Sequence, residues 1–572
     1  MAEKALQAVE NGELELQPSW HAKTWREFLS NIHDWCVSRQ LWWGHRIPAY
    51  RMKGGNKEQW WVAESEEEAI NLAAKDTGLA PGSFELEQDP DVLDTWFSSG
   101  LFAMSAQGWP DVEVPRYPIS LMETGADILF FWVARMVFMG MELHPSGKVP
   151  FPHVFLHPMI RDRQGRKMSK SLGNVIDPLH VIDGVSLETL QDGVRSGNLD
   201  PKEVKRALKG LAQEFPKGIP ACGTDAQRLA LASYMNSSAA INLDIARVET
   251  WRAFCNKLWN AQRFILQQQV QANMATDEAA QEAADTMALW VRSRLAATID
   301  RCNTSLEKFD FADYTLALQE FVVGDLCDVY IETSKLCTDM NTLVTCLETT
   351  LRLMHPIAPF ITEELWHRLA AATEQPGFSV TDTITDSAYP QSSELGDAQR
   401  ADIESEVALV LDAVRTTRAL RNKLKGVVEA SRLQERIRFV IQNQDSSPML
   451  MGDAGKRLVQ HLTRTGSVET SYDGIADGSA VLELVVQPGV LAQLPVQVAE
   501  GDRAKIEQEV DRLNKKMSKL SDTIEKWETR RQSPRYESAP AHVREKDEET
   551  IQKLQDELSI LDASKATLAS LL

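Results

Sequence analysis

Hydrophobic positions divide the 572-residue chain into stretches of different period. Over residues 249–369 they recur at three- and four-residue spacing, through WRAFCNKLWNAQRFILQQQ, ALWVRSRLAATIDRCNTSLEKF, YTLALQEFVVGDLCDVYIETS and LETTLRLMHPIAPFITEELWHRL. That period predicts an all-helical bundle, because each helix carries an apolar stripe that must be buried against another. Residues 1–160 mix short aromatic-rich runs with turn signals, and WWGHRIPAY and QWWVA read as strands flanking a turn at Gly54-Gly55. Residues 127–140, DILFFWVARMVFMG, are apolar nearly all round, which suits a helix buried inside a sheet-containing domain.

Residues 373–400, with Pro376, Gly377, Pro390 and many Ser and Thr, read as a loop-rich connection. A small mixed segment follows, with strand candidates at RIRFVIQ and AVLELVVQPG. From about residue 504 a long helical pattern runs to SPRYESAPAHV, where Pro534 and Pro540 break it, and resumes as EKDEETIQKLQDELSILDASKATLASLL. Two helices joined by a proline turn predict an antiparallel coiled-coil hairpin. The expected fold class is multidomain, α/β followed by all-α.

A chain that is 43% hydrophobic at this length supports several packed cores, about three or four domains on the usual size range. Cys36, Cys222, Cys255, Cys302, Cys327, Cys337 and Cys346 include no C-x-x-C pair, so neither a disulfide framework nor a zinc knuckle is indicated, and no metal ligand set is expected. The first thirty residues lack a basic start followed by an apolar core, and no later run approaches a membrane span; a soluble, cytoplasmic protein without a membrane partner is expected. A formal charge of −21 argues against global attraction to nucleic acid. Two segments are locally basic, residues 161–170 (RDRQGRKMSK) and 415–425 (RTTRALRNKLK). In the second, Arg418, Arg421 and Lys425 share a helical face, which is either a solvated face or a phosphate contact.

The strongest chemical signal is GRKMSKSLGN at residues 165–174. Lys167 and Lys170, three apart on a small-residue loop ending in glycine, can set two ammonium groups against a triphosphate and stabilise charge on departing pyrophosphate. The bland alternative is a basic surface loop. The same chain holds a control: Lys516-Met517-Ser518-Lys519 repeats four of the letters inside VDRLNKKMSKLSDTIEKW, where Leu513, Met517, Leu520 and Ile524 form one helical stripe, and there the helix alone accounts for the residues. Upstream, DTWFSSGL and ETGADILFFW, taken singly, read as aromatic core.

Taken in order, CVSRQLWWGHRIP, DTWFSSG, TGADILFFWVARM and HPMIRDRQGRKMSKSLGNVIDP, then GIPACGTDAQRLAL, INLDIARV and FCNKLWNA, resemble the valyl-tRNA synthetase family over nearly the whole chain, and the lysine loop resembles the KMSKS loop of class I aminoacyl-tRNA synthetases. Isoleucyl and leucyl siblings differ where TGADILFFW stands, so valine is the indicated amino acid. The resemblance implies a valine–tRNA ligase, joining valine to AMP from ATP and then to the terminal ribose of tRNA(Val), with Mg2+ accompanying the ATP. It implies that Trp96, Ile128 and Trp132 wall an apolar pocket for a branched side chain, that Asp127 and His157 lie near the adenylate, and that Lys170 holds ATP with Lys167 assisting. Such a pocket separates valine from threonine poorly, a limit for which valyl enzymes are themselves the standard illustration, hence the family's separate editing domain.

The same resemblance implies a layout: residues 1–30, a remnant of the insertion exit; 31–160, the second half of a Rossmann-type catalytic domain; 161–235, the lysine loop and a stem-contact region; 236–390, a helical anticodon-binding domain; 391–500, a small mixed α/β segment; and 501–572, a coiled-coil tRNA-binding arm. The family's H-x-G-H helix start is expected upstream; Gly44-His45 matches only two of its letters. An incomplete Rossmann-type core with little or no independent activity is therefore expected, since ATP phosphates must be held from both sides. The alternatives are a non-catalytic tRNA-binding paralogue and one subunit of a split synthetase, completed by a chain supplying the amino-terminal half. Ala126 stands where the family has a larger aromatic or histidine, Ala103 where it has proline, and Ser238-Ala239-Ala240 where Gly-Arg-Asp is usual.

Overall fold

HVFLH sets three consecutive apolar residues at Val154, Phe155 and Leu156, the pattern of a strand covered on both faces. In the computed structural model that strand, His153–His157, is the middle of an all-parallel three-stranded sheet, flanked by Glu15–Gln17 and Met122–Gly125. The structure describes residues 1–572 except 57, 112–115, 170–171, 198, 236–239, 271–272, 373–382, 426–427, 442–447, 472–479, 497–499, 532–535, 537–540, 570 and 572. The chain divides into two units, Met1–Ile219 with Tyr234–Ile245, and Pro220–Ser233 with Ala246–Leu572.

In the first unit, Leu16 lies opposite Val154, Thr124 opposite Leu156 and Gly125 opposite His157. Helices Ala2–Glu10, His21–Ser30 and Ala134–Leu143 contribute Ala5, Ala8, Trp25, Leu29 and Val137 to the core these strands share with Phe151. Trp25 is fully buried and its indole N–H donates to the Ala5 carbonyl at 3.2 Å. Residues 1–30, which carry no motif, thus supply an edge strand and two covering helices.

The apolar run 127–140 is not one helix. Ala126–Ile128 makes a 3-10 turn, Leu129–Val133 a π-helical turn, and the α-helix begins at Ala134. Leu129, Val133, Met136 and Val137 are buried, whereas Asp127 and Phe131 are exposed. The aromatic excess goes into lateral ring contacts: Phe130 stacks on Phe28 at 4.2 Å and Trp132 tilts against Trp96 at 5.8 Å. Inserted π turns recur at functional sites because they re-aim side chains.

A second, antiparallel sheet sets Ala49–Met52 between Trp61–Val62 and Leu86–Gln88, under the helix Glu66–Thr77. The turn at Gly54 has φ +71°, as expected for glycine there. The strand anticipated from WWGHRIPAY starts later, at Ala49, and Trp42 and Trp43 stand fully exposed outside it. Gly44 causes the offset: with φ +142° it passes so close to Val92 that an added Cβ would lie 3.2 Å from Cγ2, while Ser38–Arg39 pairs with Val92–Leu93.

In the second unit, Ile245–Gln268 buries Trp251, Phe254, Leu258, Ala261 and Ile265 at three- and four-residue intervals. It packs with Glu278–Glu307, Phe311–Gln319, the π-helical Glu320–Tyr330, Met340–Met354 and Pro359–Ala372 as the predicted bundle. Beyond Ala401–Lys423 lies a four-stranded sheet in which Arg436–Ile441 runs parallel to Ser467–Ser471 and antiparallel to Val490–Val496, itself paired with Ala480–Gln487. Helices Glu500–Arg531 and Ala541–Ala569 pack on one another. Lys516 to Lys519 lie within the first of these, with Leu513 and Ile524 buried and Met517 and Leu520 half-buried. All seven cysteines are free thiols, and among the described residues no helix is long and apolar enough to cross a membrane.

The basic face at 415–425 has a structural employment. Arg418 donates to the Leu462 carbonyl at 2.7 Å, and Arg421 to the carbonyls of Leu433 at 2.8 Å and Thr463 at 2.5 Å and to the Thr465 hydroxyl at 2.6 Å. A guanidinium placed there satisfies carbonyls that the end of helix Asp453–Thr463 leaves unpaired. Burial pushes the Arg421 pKa down, although the side chain remains charged at any ordinary pH. Arg421→Lys keeps the charge and loses the fork, so denaturant unfolding should show a loss of about 1–3 kcal/mol. Trp25→Ala should cost the first unit about 3–5 kcal/mol in the same measurement, since an indole-sized cavity opens in its core.

Candidate active site

Ligands of parallel sheets bind beyond the carboxyl ends of the strands. In the first unit, two adjacent strands end at Gly125 and His157, which face one another in register. The backbone at Gly125 passes close to three side chains: an added Cβ would lie 2.7 Å from Asp127 Oδ1, 3.1 Å from Met159 Sδ and 3.5 Å from His157 Cε1. Glycine is required there for space, since its φ of −73° is one that any residue adopts. Asp127 is exposed and His157 half-buried, with His157 Nδ1 3.2 Å from the Pro158 carbonyl and Nε2 3.7 Å from Glu123 Oε1. Gly125 is itself buried, with the Asp127 carboxylate, the Met159 thioether and the His157 imidazole packed around it.

Trp96, Ile128 and Trp132, all half-buried, come from two short elements. Trp96 rides on helix Thr95–Ser99, whose start is fixed by Asp94 accepting the Trp96 N–H at 3.0 Å. Asp94 is buried and also accepts from Arg39 and, at 3.2 Å, from Trp35 Nε1. Arg39 and the Trp35 indole fix the carboxylate that starts the helix carrying Trp96, and Arg135 lies 3.6 Å above the Trp35 ring. Trp132 Nε1 is buried with no acceptor among the described residues.

The chain leaves the sheet at His157 and makes a second strand, Met159–Arg161, parallel to Ala240–Asn242. A tight turn follows: Asp162 N–H donates to the Arg166 carbonyl at 3.0 Å, and Gly165 takes φ +77°. Lys167 is exposed just after it, opposite Arg161. Lys170 lies outside the described residues, as does Ser171. Asp162, buried beneath the turn, accepts from Gln164 N at 3.1 Å, Arg166 N at 2.8 Å, Arg166 Nε at 2.7 Å and Asn174 Nδ2 at 2.9 Å. Burial alone would raise its pKa, but the bonds from Asn174 and from the Arg166 backbone and guanidinium hold it below the usual carboxylate value.

Beside this hairpin is a cleft of about 840 Å³, with Arg163, Arg166, Asn174, Arg206, Lys209 and Glu214 in its wall. Burial pushes the Glu214 carboxyl up, against the opposing pull of Gln164 and Arg163.

The structure therefore brings Asp127 to His157 and Trp96 to Trp132, and it puts Lys167 on the hairpin that follows His157. Gly125, Asp94, Arg39, Asp162 and Asn174 were missed as positioning groups. Asp94 has a local signal, an aspartate directly before a short helix; Arg39 is recognisable only through a partner distant in sequence, and Gly125, Asp162 and Asn174 only through the folded turns that contain them. Of the departures, Ala103 is buried in the core, Ala126 packs half-buried against it, and Ala240 opens a strand, whereas Ser238 and Ala239 lie outside the described residues.

Residues 1–244 match the family described as tRNA synthetases class I (I, L, M and V), and residues 288–428 match the anticodon-binding domain of tRNA ligase. The chain is similar to the Arabidopsis thaliana protein named valine–tRNA ligase, mitochondrial 1, at 40% identity over 98% of this chain and 52% of that protein. It is also 40% identical to mouse (Mus musculus) valine–tRNA ligase over 100% of this chain and 46% of that one. A human (Homo sapiens) valine–tRNA ligase, mitochondrial, is 44% identical over 74% of this chain and 40% of its own length. The chain spans about half the length, or less, of these relatives.

Two outcomes follow from the geometry. Gly125→Ala must shift the exposed Asp127 carboxylate and crowd Met159 Sδ, and denaturant unfolding should show a loss of about 1 kcal/mol, the low end for overpacking. Glu214 has a raised folded-state pKa, so its ionised form works against folding at neutral pH. The wild type should gain stability relative to Glu214→Gln as pH falls from neutral toward about 4.3, the unfolded carboxyl value. Paired thermal melts across that range check the sign.

Proposed function

The chain belongs to the class I tRNA synthetases, and from that membership we propose that it serves a valine–tRNA ligase. The carboxylate oxygen of valine attacks the α-phosphorus of ATP and pyrophosphate leaves; a hydroxyl of the terminal ribose of tRNA(Val) then attacks the carbonyl carbon and AMP leaves. The observation that carries the reading is that Asp127 and His157 both pack beside Gly125, at the carboxyl ends of parallel strands, directly upstream of the lysine hairpin.

In this reading the core is the second half of a Rossmann-type fold. Asp127 accepts from the ammonium or ribose hydroxyl of the adenylate, and His157 lies beside its phosphate. Trp96, Ile128 and Trp132 form the apolar wall for the branched side chain. Lys167 and Lys170 stabilise the negative charge that moves onto pyrophosphate. Magnesium enters on the ATP phosphates and keeps much of its water, as this ion usually does with nucleotides. The helical bundle and the carboxy-terminal hairpin are the surfaces proposed for tRNA(Val), and the cytoplasm is the proposed compartment, although relatives named mitochondrial are among those matched.

The test is charging of tRNA(Val) with labelled valine, run beside filter binding of the same tRNA. Charging above background, lost on omitting ATP, supports the ligase; binding without charging moves the assignment to a tRNA-holding module or a subunit awaiting its partner. In a charging-competent preparation, Lys167→Ala should lower adenylate formation about 100-fold, the usual consequence of losing one donor to developing charge. Lys516→Ala with Lys519→Ala, in the helical copy of the motif, should leave it within about twofold, as surface substitutions away from a site generally do.

A further inference from the structure

We infer that Asp162 and Asn174 are positioning residues that hold the backbone of Lys167 and Ser169, in the described part of the lysine loop, in place for the nucleotide; this rests on the ligase reading above. Asn174 closes the loop from the far side. Its Oδ1 accepts the Ser169 N–H at 3.0 Å, and its Nδ2 donates both to the Lys167 carbonyl at 3.2 Å and to Asp162 Oδ2 at 2.9 Å. One amide therefore ties the backbone on both sides of Met168 to a buried carboxylate that is itself anchored by the turn at residues 162–166.

The other end of the loop is also fixed. Gly173, at φ +63°, sits against helix Pro201–Glu214 and the residues before it, so that an added Cβ would meet Leu199 Cδ2 at 3.2 Å and Ala207 Cβ at 3.3 Å. Lys167 is thus fixed by its main chain while its side chain stays exposed. A lysine needs this kind of support. Its ammonium ends a flexible four-carbon stem, and misplacing a catalytic group by about 1 Å can cost about 100-fold in rate. Neither Asp162 nor Asn174 has to touch ATP to act in this way.

The experiment uses the natural full-length protein and two readouts, valine-dependent exchange of pyrophosphate into ATP and hydrogen exchange at the Ser169 amide. Asn174→Ala is expected to lower kcat about tenfold with the KM for ATP within about twofold, and to speed exchange at Ser169 about tenfold, because a preset geometry is lost while ground-state binding is kept. Asn174→Asp, which faces Asp162 with a second carboxylate, should be worse. Combining it with Asp162→Asn restores an amide-to-carboxylate bond and should recover part of the loss. An unchanged kcat in Asn174→Ala alongside faster exchange at Ser169 overturns the inference, as does a parallel decline in kcat, ATP affinity and unfolding midpoint that the double exchange does not repair. A wild-type protein with no pyrophosphate exchange instead removes the ligase reading, and the inference with it.

Discussion

The parallel pairing of Met122–Gly125 with His153–His157 is the constraint on which the candidate site depends. Register sets Gly125 beside His157, and the chain turns immediately after each strand, into Asp127 on one side and toward the lysine hairpin on the other. Two segments some thirty residues apart in sequence are thereby brought into contact. The pairing is stabilised from below by the apolar faces of Val154 and Leu156 against Trp25, Val137 and Phe151, where the burial of several large side chains contributes about 1.5–3 kcal/mol each. It is limited from above by volume, because a Cβ at 125 would lie 2.7 Å from Asp127 Oδ1 and 3.1 Å from Met159 Sδ.

The second unit rests on a different principle, the satisfaction of helix ends. Asp225 is buried and accepts from the N–H groups of Phe360 at 3.3 Å and Ile361 at 2.7 Å, at the start of helix Pro359–Ala372. Arg228, one turn on, donates to the carbonyls of Ile357 at 2.8 Å and Pro356 at 3.1 Å. The tract GTDAQRLAL thus joins the bundle by capping it, and burial raises the Asp225 pKa against the pull of those two N–H groups. Arg418 and Arg421 do the same for helix Asp453–Thr463. Of a basic stripe that reads in sequence as a solvated face or a phosphate contact, Arg418 and Arg421 donate to backbone carbonyls, while Lys425 is exposed.

Part of the candidate site's layout was legible locally. The loop letters at 165–174, set among turn residues, marked a different object from the same letters at 516–519, set on a helical stripe, and Leu513 and Ile524 are buried as that stripe requires. Trp96 and Trp132 were legible as aromatics of interest, and the structure brings their rings together. Asp94 and Asp162, the carboxylates that position these groups, were not singled out. Each works through partners tens of residues away or through the folded turn itself, and a one-dimensional pattern carries no record of either.

By itself the sequence determined the helical bundle, the carboxy-terminal hairpin and the places where lysine, aspartate and histidine chemistry is available, because those follow from local period, turn residues and side-chain type. Only the tertiary structure decided that residues 1–30 form a sheet edge, that Asp127 lies on a 3-10 turn ahead of a π turn, that Trp42 and Trp43 stand in solvent, and that Asn174 ties the lysine loop to Asp162. The physical reason is common to all four. Each outcome depends on which other segment comes within reach, through a hydrogen bond of about 3 Å or a close approach such as that of Gly44 to Val92, and that is set by how strands, helices and turns pack rather than by the residues' own preferences.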